Sequence, residues 1–483
     1  MKKLKNRKWE IKERAYNEVL DEFANYTNTN RVVSQILINR GCKTPEEALD
    51  FINKNNEILH SPFLLNDMEK GAKRILDAVK NDEKITIYGD YDVDGITSVS
   101  VLYTYLESIG AKVEYHIPVR QTDGYGVSKE AVEKIAANGT NLIITVDTGI
   151  TAYNEVEAAK NLGVDMVITD HHECIGTLPD AFAVINPKRQ DSTYPFSGLA
   201  GVGVVFKLLC AIENTRTGEQ LIESVRKIAY KYSDLVSIGT IADVMPLVDE
   251  NRIIVSLGLK CIENTQNIGL KSLVEVCQGN DNKSSKQKAK RISSGFIGFT
   301  LAPKINAAGR ISNASIAVEL FLSKSEQTAK KYSLELFDIN KERQLEENKI
   351  AEEAYEKAEA INSDETKFII LESDTWNHGI IGIVSSRVTE KYALPSILIS
   401  FEGNDDPSSP EALGKGSGRS IKGINIVEAL ASCDDILEKK GGHELAAGLS
   451  IKRKNLAEFK RRINEYAIKC FEEKNIEPII TIE

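Results

Sequence analysis

Nothing in these 483 residues reads as a membrane span, a disulfide scaffold or a P-loop motor. The ~18 consecutive apolar residues that a bilayer crossing requires do not occur. The basic start, with Lys2, Lys3, Lys5, Arg7, Lys8, Lys12 and Arg14, is followed by no apolar stretch, so a secretory leader is not expected. That tip reads as a solvated, frayed terminus rather than a DNA-contacting arm. Seven cysteines (Cys42, Cys174, Cys210, Cys261, Cys277, Cys433 and Cys470) are scattered, odd in number and without a CxxC pair. A disulfide framework and a zinc ribbon are both disfavoured, and a reducing compartment, the cytoplasm with no membrane, is expected. No G-x-x-x-x-G-K-[ST] occurs, and Gly198-Leu199-Ala200-Gly201-Val202-Gly203, which mimics part of a dinucleotide fingerprint, follows a loop and reads as helix packing or a turn. Net positive charge is missing too. At -10 overall, the chain cannot hold a polyanion by bulk attraction and needs a local basic surface.

What is present is ordinary in bulk: 42% hydrophobic and 27% charged residues, typical of a globular protein, and a length beyond what one core supports, so two or more domains are expected. From Lys84 to Val255, short β-rich runs alternate with amphipathic stretches, the pattern of an α/β domain with a mostly parallel sheet. The runs are residues 85–88, 113–117, 142–146 and 166–169, with Ala181–Ile185 as a fifth. Asn282 to Arg291, with Lys283, Lys286, Lys288, Lys290 and Arg291 and no acid, reads as a surface loop or a patch against a nucleic-acid backbone. Ser325 to Ala360 carries an apolar stripe (Ala329, Leu334, Leu336, Ile339) and neither Gly nor Pro, which predicts one long helix joining two domains. A second α/β unit follows, with strands at 367–371 and 396–400 around a helix at 380–392.

The strongest chemical signal is Tyr88-Gly89-Asp90-Tyr91-Asp92-Val93-Asp94-Gly95, three aspartates at alternate positions where a strand runs out. In an extended backbone such side chains share a face, and carboxylates that close must be protonated, screened or cation-bound. An acidic surface turn would not explain why an apolar strand aims three acids one way. Two further strands end in Asp147-Thr148-Gly149 and Asp170-His171-His172, and the carboxyl ends of parallel strands line one crevice. Asp243 interrupts an apolar helical stretch; alone it reads as a cap or ion-pair partner, and with the others it completes a ligand set. Carboxylates with one or two histidines and no thiolate suit Mn2+ or Mg2+. A pair of such ions ~3.5–4 Å apart promotes in-line displacement at phosphorus, so phosphoester hydrolysis is the favoured chemistry. Further on, residues 414–420 and 441–448 set glycines beside basic or hydroxyl groups, as in turns whose backbone N–H groups approach a phosphate. Asn306 to Arg310 and His378 to Gly382 add an arginine and a histidine near predicted turns, and the guanidinium forks of Arg310 and Arg419 match phosphate oxygens.

In order, Asp90–Gly95, Asp147–Gly149, Asp170–His172 and Gly239–Asp243 resemble the four motifs of the DHH phosphoesterase superfamily, and Gly441-Gly442-His443 resembles the hallmark of its associated DHHA1 substrate domain. Asp123–Gly126, Asn306–Arg310 and Ser417–Ser420 are similar to the superfamily's bacterial single-strand-specific DNA exonucleases, and the match runs from Leu65 to Leu449. The resemblance implies an α/β architecture: a parallel-sheet DHH domain joined by a long helix to a smaller α/β DHHA1-type domain, with an active-site cleft between them. It implies two ions, Mn2+ or Mg2+, held by Asp92, Asp94, Asp147, His171 and Asp243, with Asp90 as an additional ligand. Catalytic roles fall to His172, Asp94 and Asp147, and substrate contacts to Arg310, Asn306, His378, Arg419, Ser420, Gly441, Gly442 and His443. The implied activity is 5′-to-3′ hydrolysis of single-stranded DNA to mononucleotides in repair and recombination, by a monomer, with a single-strand-binding protein and a helicase as candidate partners. The expected division is an N-terminal helical extension at 1–64, the DHH domain at 65–260, a helical insertion and connecting helix at 261–362, the DHHA1-type domain at 363–470, and the start of an OB-fold at 471–483. Tyr88 stands where many members have histidine, which makes Asp90 a substitute ligand. Two alternatives are weighed: a nanoRNase or cyclic-dinucleotide phosphodiesterase, against which the insertion before Ala360 counts, and a non-catalytic DNA-binding replication subunit, against which the full set of motif acids counts.

Overall fold

The structure is a computed structural model that describes residues 8–482 apart from 54–58, 119–125, 175, 280–291, 362–364, 475 and 477–478. The basic run 282–291 and the residues Asp123 to Tyr125 therefore lie outside the described residues. The chain divides into two compact units, Thr44–Asn340 and Met1–Lys43 together with Lys341–Glu483. Strand β1 (Lys8–Ile11) belongs to the latter.

The unit Thr44–Asn340 is built on β2 (Lys84–Tyr88), β3 (Lys112–His116), β4 (Leu142–Val146), β5 (Asp165–Thr169) and β6 (Ala183–Ile185). All pair in parallel in the order β3-β2-β4-β5-β6. The strands read as near-continuous apolar runs because both faces are covered, as parallel crossovers demand. Ile85, Ile87, Leu142 and Ile144 face one core with the helices Val93–Ser108, Gly201–Thr217 and Leu221–Ala242. Tyr88, Ile143, Met166 and Ile168 face the other, with Val132, Ile135 and Val156. From β2 the chain moves out to β3 and then returns to the opposite side of β2 as β4. Loops leaving β2 and β4 therefore diverge at their carboxyl ends, and the crevice so formed is where ligands of open α/β sheets bind.

The other unit carries β7 (Ile369–Ser373), β8 (Ser396–Ser400), β9 (Leu413–Arg419), β10 (Leu437–His443) and β11 (Ala446–Lys452) in the order β10-β11-β9-β8-β7. Only β7 and β8 are parallel. A separate two-stranded parallel sheet pairs β1 with β12 (Ile479–Ile482). Residues Glu326–Ile361 form one 36-residue helix.

Two expectations are corrected here. The glycine-rich residues 414–419 and 441–443 are strand rather than turn, with the turn confined to Glu444-Leu445 before the strand at 446–448, and Asn306–Arg310 is helical, within Ala302–Ile311. Along β9 the glycines point inward: a Cβ on Gly416 would fall 2.8 Å from Leu449 Cγ, and one on Gly418 2.4 Å from Ile426 Cδ1. Glycine is there to let a helix and a neighbouring strand close in, with Lys415, Ser417 and Arg419 on the opposite face, where Ser417 and Arg419 lie against Gly382 of the helix Ile381–Tyr392.

Candidate metal centre and nucleic-acid-binding residues

The acids converge because the segments leaving β2, β4 and β5 and one helix end meet at the carboxyl end of the sheet. Asp90, 3% exposed, follows β2 and accepts from Tyr91 N–H at 2.6 Å. Asp92 caps the helix Val93–Ser108, accepting from Gly95 N–H at 3.0 Å, and Asp94 lies in that helix's first turn. Asp147 ends β4 in a left-handed conformation, φ 60, which aspartate tolerates better than most residues. Asp243 is the C-cap of the helix Leu221–Ala242, at the end of the apolar stretch rather than inside it.

His171 reaches into the middle of this group. Its Nε2 lies 3.1 Å from Asp147 Oδ1, 3.6 Å from Asp243 Oδ2 and 3.8 Å from Asp94 Oδ2. Among the described residues three overlapping sets could hold divalent ions: Asp90, Asp92 and Asp147; Asp94, His171 and Asp243; and Asp147, His171 and His172, the ligand atoms of each within 4.8 Å of one another. The pKa pattern is that of carboxylates lacking a counter-charge. Burial, then the charge of Asp92, pushes Asp94 up to about 7. Burial, then Asp94, does the same for Asp243, to about 7. Burial with the charges of Asp94, Asp92 and Asp90 pushes Asp147 well above the carboxylate range. Asp147 Oδ1 is close to His171 but makes no hydrogen bond, and His171 Nδ1 makes none either. Crowded acids, a buried carboxylate oxygen without a hydrogen bond and an imidazole among hard oxygen donors fit divalent cations.

Beside this cluster His172 is held by a buried carboxylate. Asp170, 1% exposed, accepts from the backbone of His171 (2.7 Å), His172 (3.0 Å) and Ile150 (2.9 Å), and from His172 Nδ1 at 2.7 Å. Burial pushes the Asp170 carboxyl up, but the hydrogen bond and charge of His172 outweigh it and hold it low. Burial likewise opposes charge on His172, yet the hydrogen bond and charge of Asp170 push that imidazole up to about 9. His171 goes the other way, lowered by burial and by the charge of His172.

The DHH family N-terminal domain matches residues 84–240 and the DHHA1 domain residues 365–469. Over 99% of its length the chain is 38% identical to the single-stranded-DNA-specific exonuclease RecJ of Bacillus subtilis (strain 168), and it spans 57% of that protein. With the RecJ of Escherichia coli (strain K12) it shares 34% identity over 83% of its own length and 69% of the relative's. The chain belongs to the RecJ family. Its fold matches the crystal structure of RecJ in complex with Mn2+ from Thermus thermophilus with a TM-score of 0.80 at 28% identity, covering 98% of this chain and 64% of that one. It also matches a crystal structure of exonuclease RecJ bound to manganese, with a TM-score of 0.70 at 32% identity, covering 84% and 95%.

Within this RecJ-family chain, Asn306 and Arg310 lie one helical turn apart, and Asn306 Oδ1 accepts from Val93 N–H at 3.2 Å, beside the Asp92–Asp94 segment. The remaining expected contacts lie in the mixed-sheet unit. Arg419, Ala446 and His443 occupy one row across β9, β11 and β10, so Arg419 and His443 share a face two strand spacings, about 10 Å, apart. Gly441 and Gly442 precede His443 on β10, Ser420 donates to Ile424 O at 2.7 Å, and half-buried His378 lies 3.4 Å from Glu402. Three groups were missed from the sequence. Gly201 and Val202, at the N-terminus of the helix Gly201–Thr217, donate to the two oxygens of Asp94 at 2.7 and 2.8 Å, so the false dinucleotide fingerprint is an anion-binding helix start facing inward. Gly201 and Gly239 leave room for Asp147 and Asp94; a Cβ would sit 2.6 Å from Asp147 Oδ1 and 2.9 Å from Asp94 Oδ1. Asp170 reads from the sequence as part of a motif, without its task of holding His172.

Proposed function

We propose that the chain is a metal-dependent, single-strand-specific DNA exonuclease that works from the 5′ end, releases 5′-mononucleotides and serves DNA repair and recombination. The observation that carries this reading is the meeting of Asp90, Asp92, Asp94, Asp147, His171 and Asp243 at the carboxyl end of one sheet, with His172 held against Asp170 beside them. The relatives' names, and the Mn2+ and Mg2+ in the Thermus structures, support it. When bound, a pair of Mn2+ or Mg2+ ions supplies Lewis acidity for an in-line displacement at phosphorus.

The chain's own residues do the rest. Asp92, Asp94, Asp147, His171 and Asp243 hold the ions, with Asp90 as a further ligand, and the helix start at Gly201 keeps Asp94 aimed. His172, kept charged by Asp170, donates to a non-bridging phosphate oxygen as negative charge builds there. Asn306 and Arg310 receive the strand next to the acids; Arg419, Ser420, His443, His378 and the Gly441-Gly442 backbone hold its phosphates. On this reading residues 65–260 carry out the chemistry and 363–470 bind substrate.

The test is a time course on single strands labelled at the 5′ or the 3′ end, with Mn2+, comparing the parent with Asp147→Asn. Mononucleotide release from the 5′ end only, lost in the variant, is expected. Preference for a dinucleotide over long strands, or an active variant, would overturn the reading.

A further inference from the structure

Residues Ser294–Phe296, Ile297–Leu301 and Ala302–Ile311 follow one another as one helix with a wide π-turn near its start. Such turns are rare and recur at functional places, where they re-aim side chains. Phe299 sits at the centre of this one and is 89% exposed, forgoing the burial a phenyl ring ordinarily gains.

The neighbours of that turn give the ring its meaning. On one side Gly298 abuts the helix that ends in Asp243: a Cβ there would lie 3.8 Å from Ile241 Cγ2. On the other side Gly309 lies so close to the acidic loop that a Cβ would fall 2.6 Å from Tyr91 O, and Asn306 bonds to Val93. One helix thus braces both the loop of Asp90, Asp92 and Asp94 and the end that presents Asp243. Positions seven and eleven residues beyond Phe299 are Asn306 and Arg310. In a helix these return to about the same face after two and three turns, with the wide turn rotating Phe299 somewhat to one side. A flat apolar ring and a guanidinium therefore follow one another along a helix that touches the acid cluster.

We infer that Phe299 is a stacking platform for one base of the single strand whose phosphates reach the acids. This rests on the exonuclease reading and deepens it: stacking on a ring is tolerant of sequence and needs an unpaired base, so it favours single strands over duplex. Phe299 acts as a positioning residue, away from the reacting atoms.

The experiment titrates oligodeoxynucleotides carrying 2-aminopurine at successive positions against the parent, Phe299→Ala and Phe299→Trp in EDTA, then measures hydrolysis of the same strands with Mn2+. The parent quenches fluorescence at one or two positions, Phe299→Ala loses that quench, and Phe299→Trp keeps it. In Phe299→Ala, KM rises roughly tenfold while kcat stays within about twofold. An abasic nucleotide at the quenched position erases the difference between parent and variant. Because the ring is exposed, the thermal midpoint should not move, which separates lost stacking from misfolding. Equal quench and equal KM in parent and Phe299→Ala would overturn the inference alone. A parent that neither binds nor degrades single strands would overturn the exonuclease reading and the inference with it.

Discussion

In the parallel-sheet unit Asp90, Asp94, Asp147 and His171 are each no more than 6% exposed and stand acid against acid, whereas in the mixed-sheet unit His443 is exposed and Arg419 is half-buried beside Gly382. Burial in the first arrangement opposes ionisation of the acids; in the second, the Arg419 guanidinium donates to Gly418 O while Gly414, Gly416 and Gly418 pack inward. Buried, crowded charge is the mark of a site that must be completed by something bound, and exposed basic groups are the mark of a surface that guides a polyanion.

The largest way to break that contrast is Asp147→Asn. Asparagine also tolerates the left-handed backbone there, so the fold survives while a ligand and a buried acid whose ionisation its neighbours oppose vanish. Exonuclease activity should fall about a thousandfold, while the metal-free thermal midpoint rises by about 2–4 °C, equivalent to roughly 1 kcal/mol; scanning calorimetry beside a nuclease assay reads both. Next comes Asp170→Asn, which leaves the acids in place and removes what charges His172. Activity should drop roughly 10–100-fold, as for partners that orient a metal site, and the alkaline limb of the kcat/KM profile should move to lower pH, because the Asp170 carboxylate that raises the His172 imidazole is gone. An unmoved limb would remove His172 from the proposed chemistry. In the mixed-sheet unit, Arg419→Ala should raise KM about tenfold with kcat nearly unchanged and a shallower salt dependence, because a phosphate contact is lost and no reacting group is touched.

The smallest effects sharpen the packing side of the comparison. Gly418→Ala should cost about 1–3 kcal/mol by forcing a methyl into Ile426 and Ile397. Gly441→Ala, with nothing within 4 Å of the added carbon, should stay within about 0.5 kcal/mol. Equal costs in urea unfolding would mean that the inward-facing glycines have been misread.

Those two glycines also show where the sequence was legible and where it was not. The runs ending in Asp90, Asp147 and Asp170 were readable because a buried parallel strand leaves an unbroken apolar signature and its last residue points at the crevice. Ser396–Ser400 and the long helix were readable for the same reason, one strong period over enough residues. Residues 414–419 were not, because glycine in a strand looks like glycine in a turn until its partners are known; the alternation Gly414, Gly416, Gly418 with Lys415, Ser417, Arg419 was the available clue. The hold of Gly201 and Val202 on Asp94 was hidden more deeply, since backbone N–H groups carry no residue identity and the two segments are 107 residues apart. Asp170 is a milder case: its motif was seen, but its four hydrogen bonds depend on a loop geometry that spacing alone does not fix.

Calorimetric titration of Mn2+ combined with thermal unfolding across pH tests most directly whether the acid cluster is a divalent-metal site. Asp94 and Asp243, raised from 3.8 to about 7, hold protons in the folded chain that the unfolded chain has released. Metal-free stability should therefore fall as pH rises from about 4 to 7, and a pair of Mn2+ ions per chain should bind and restore it above that range, in the parent but not in Asp147→Asn. Stability that is flat with pH in that window, or no saturable Mn2+ binding at neutral pH, would contradict the account.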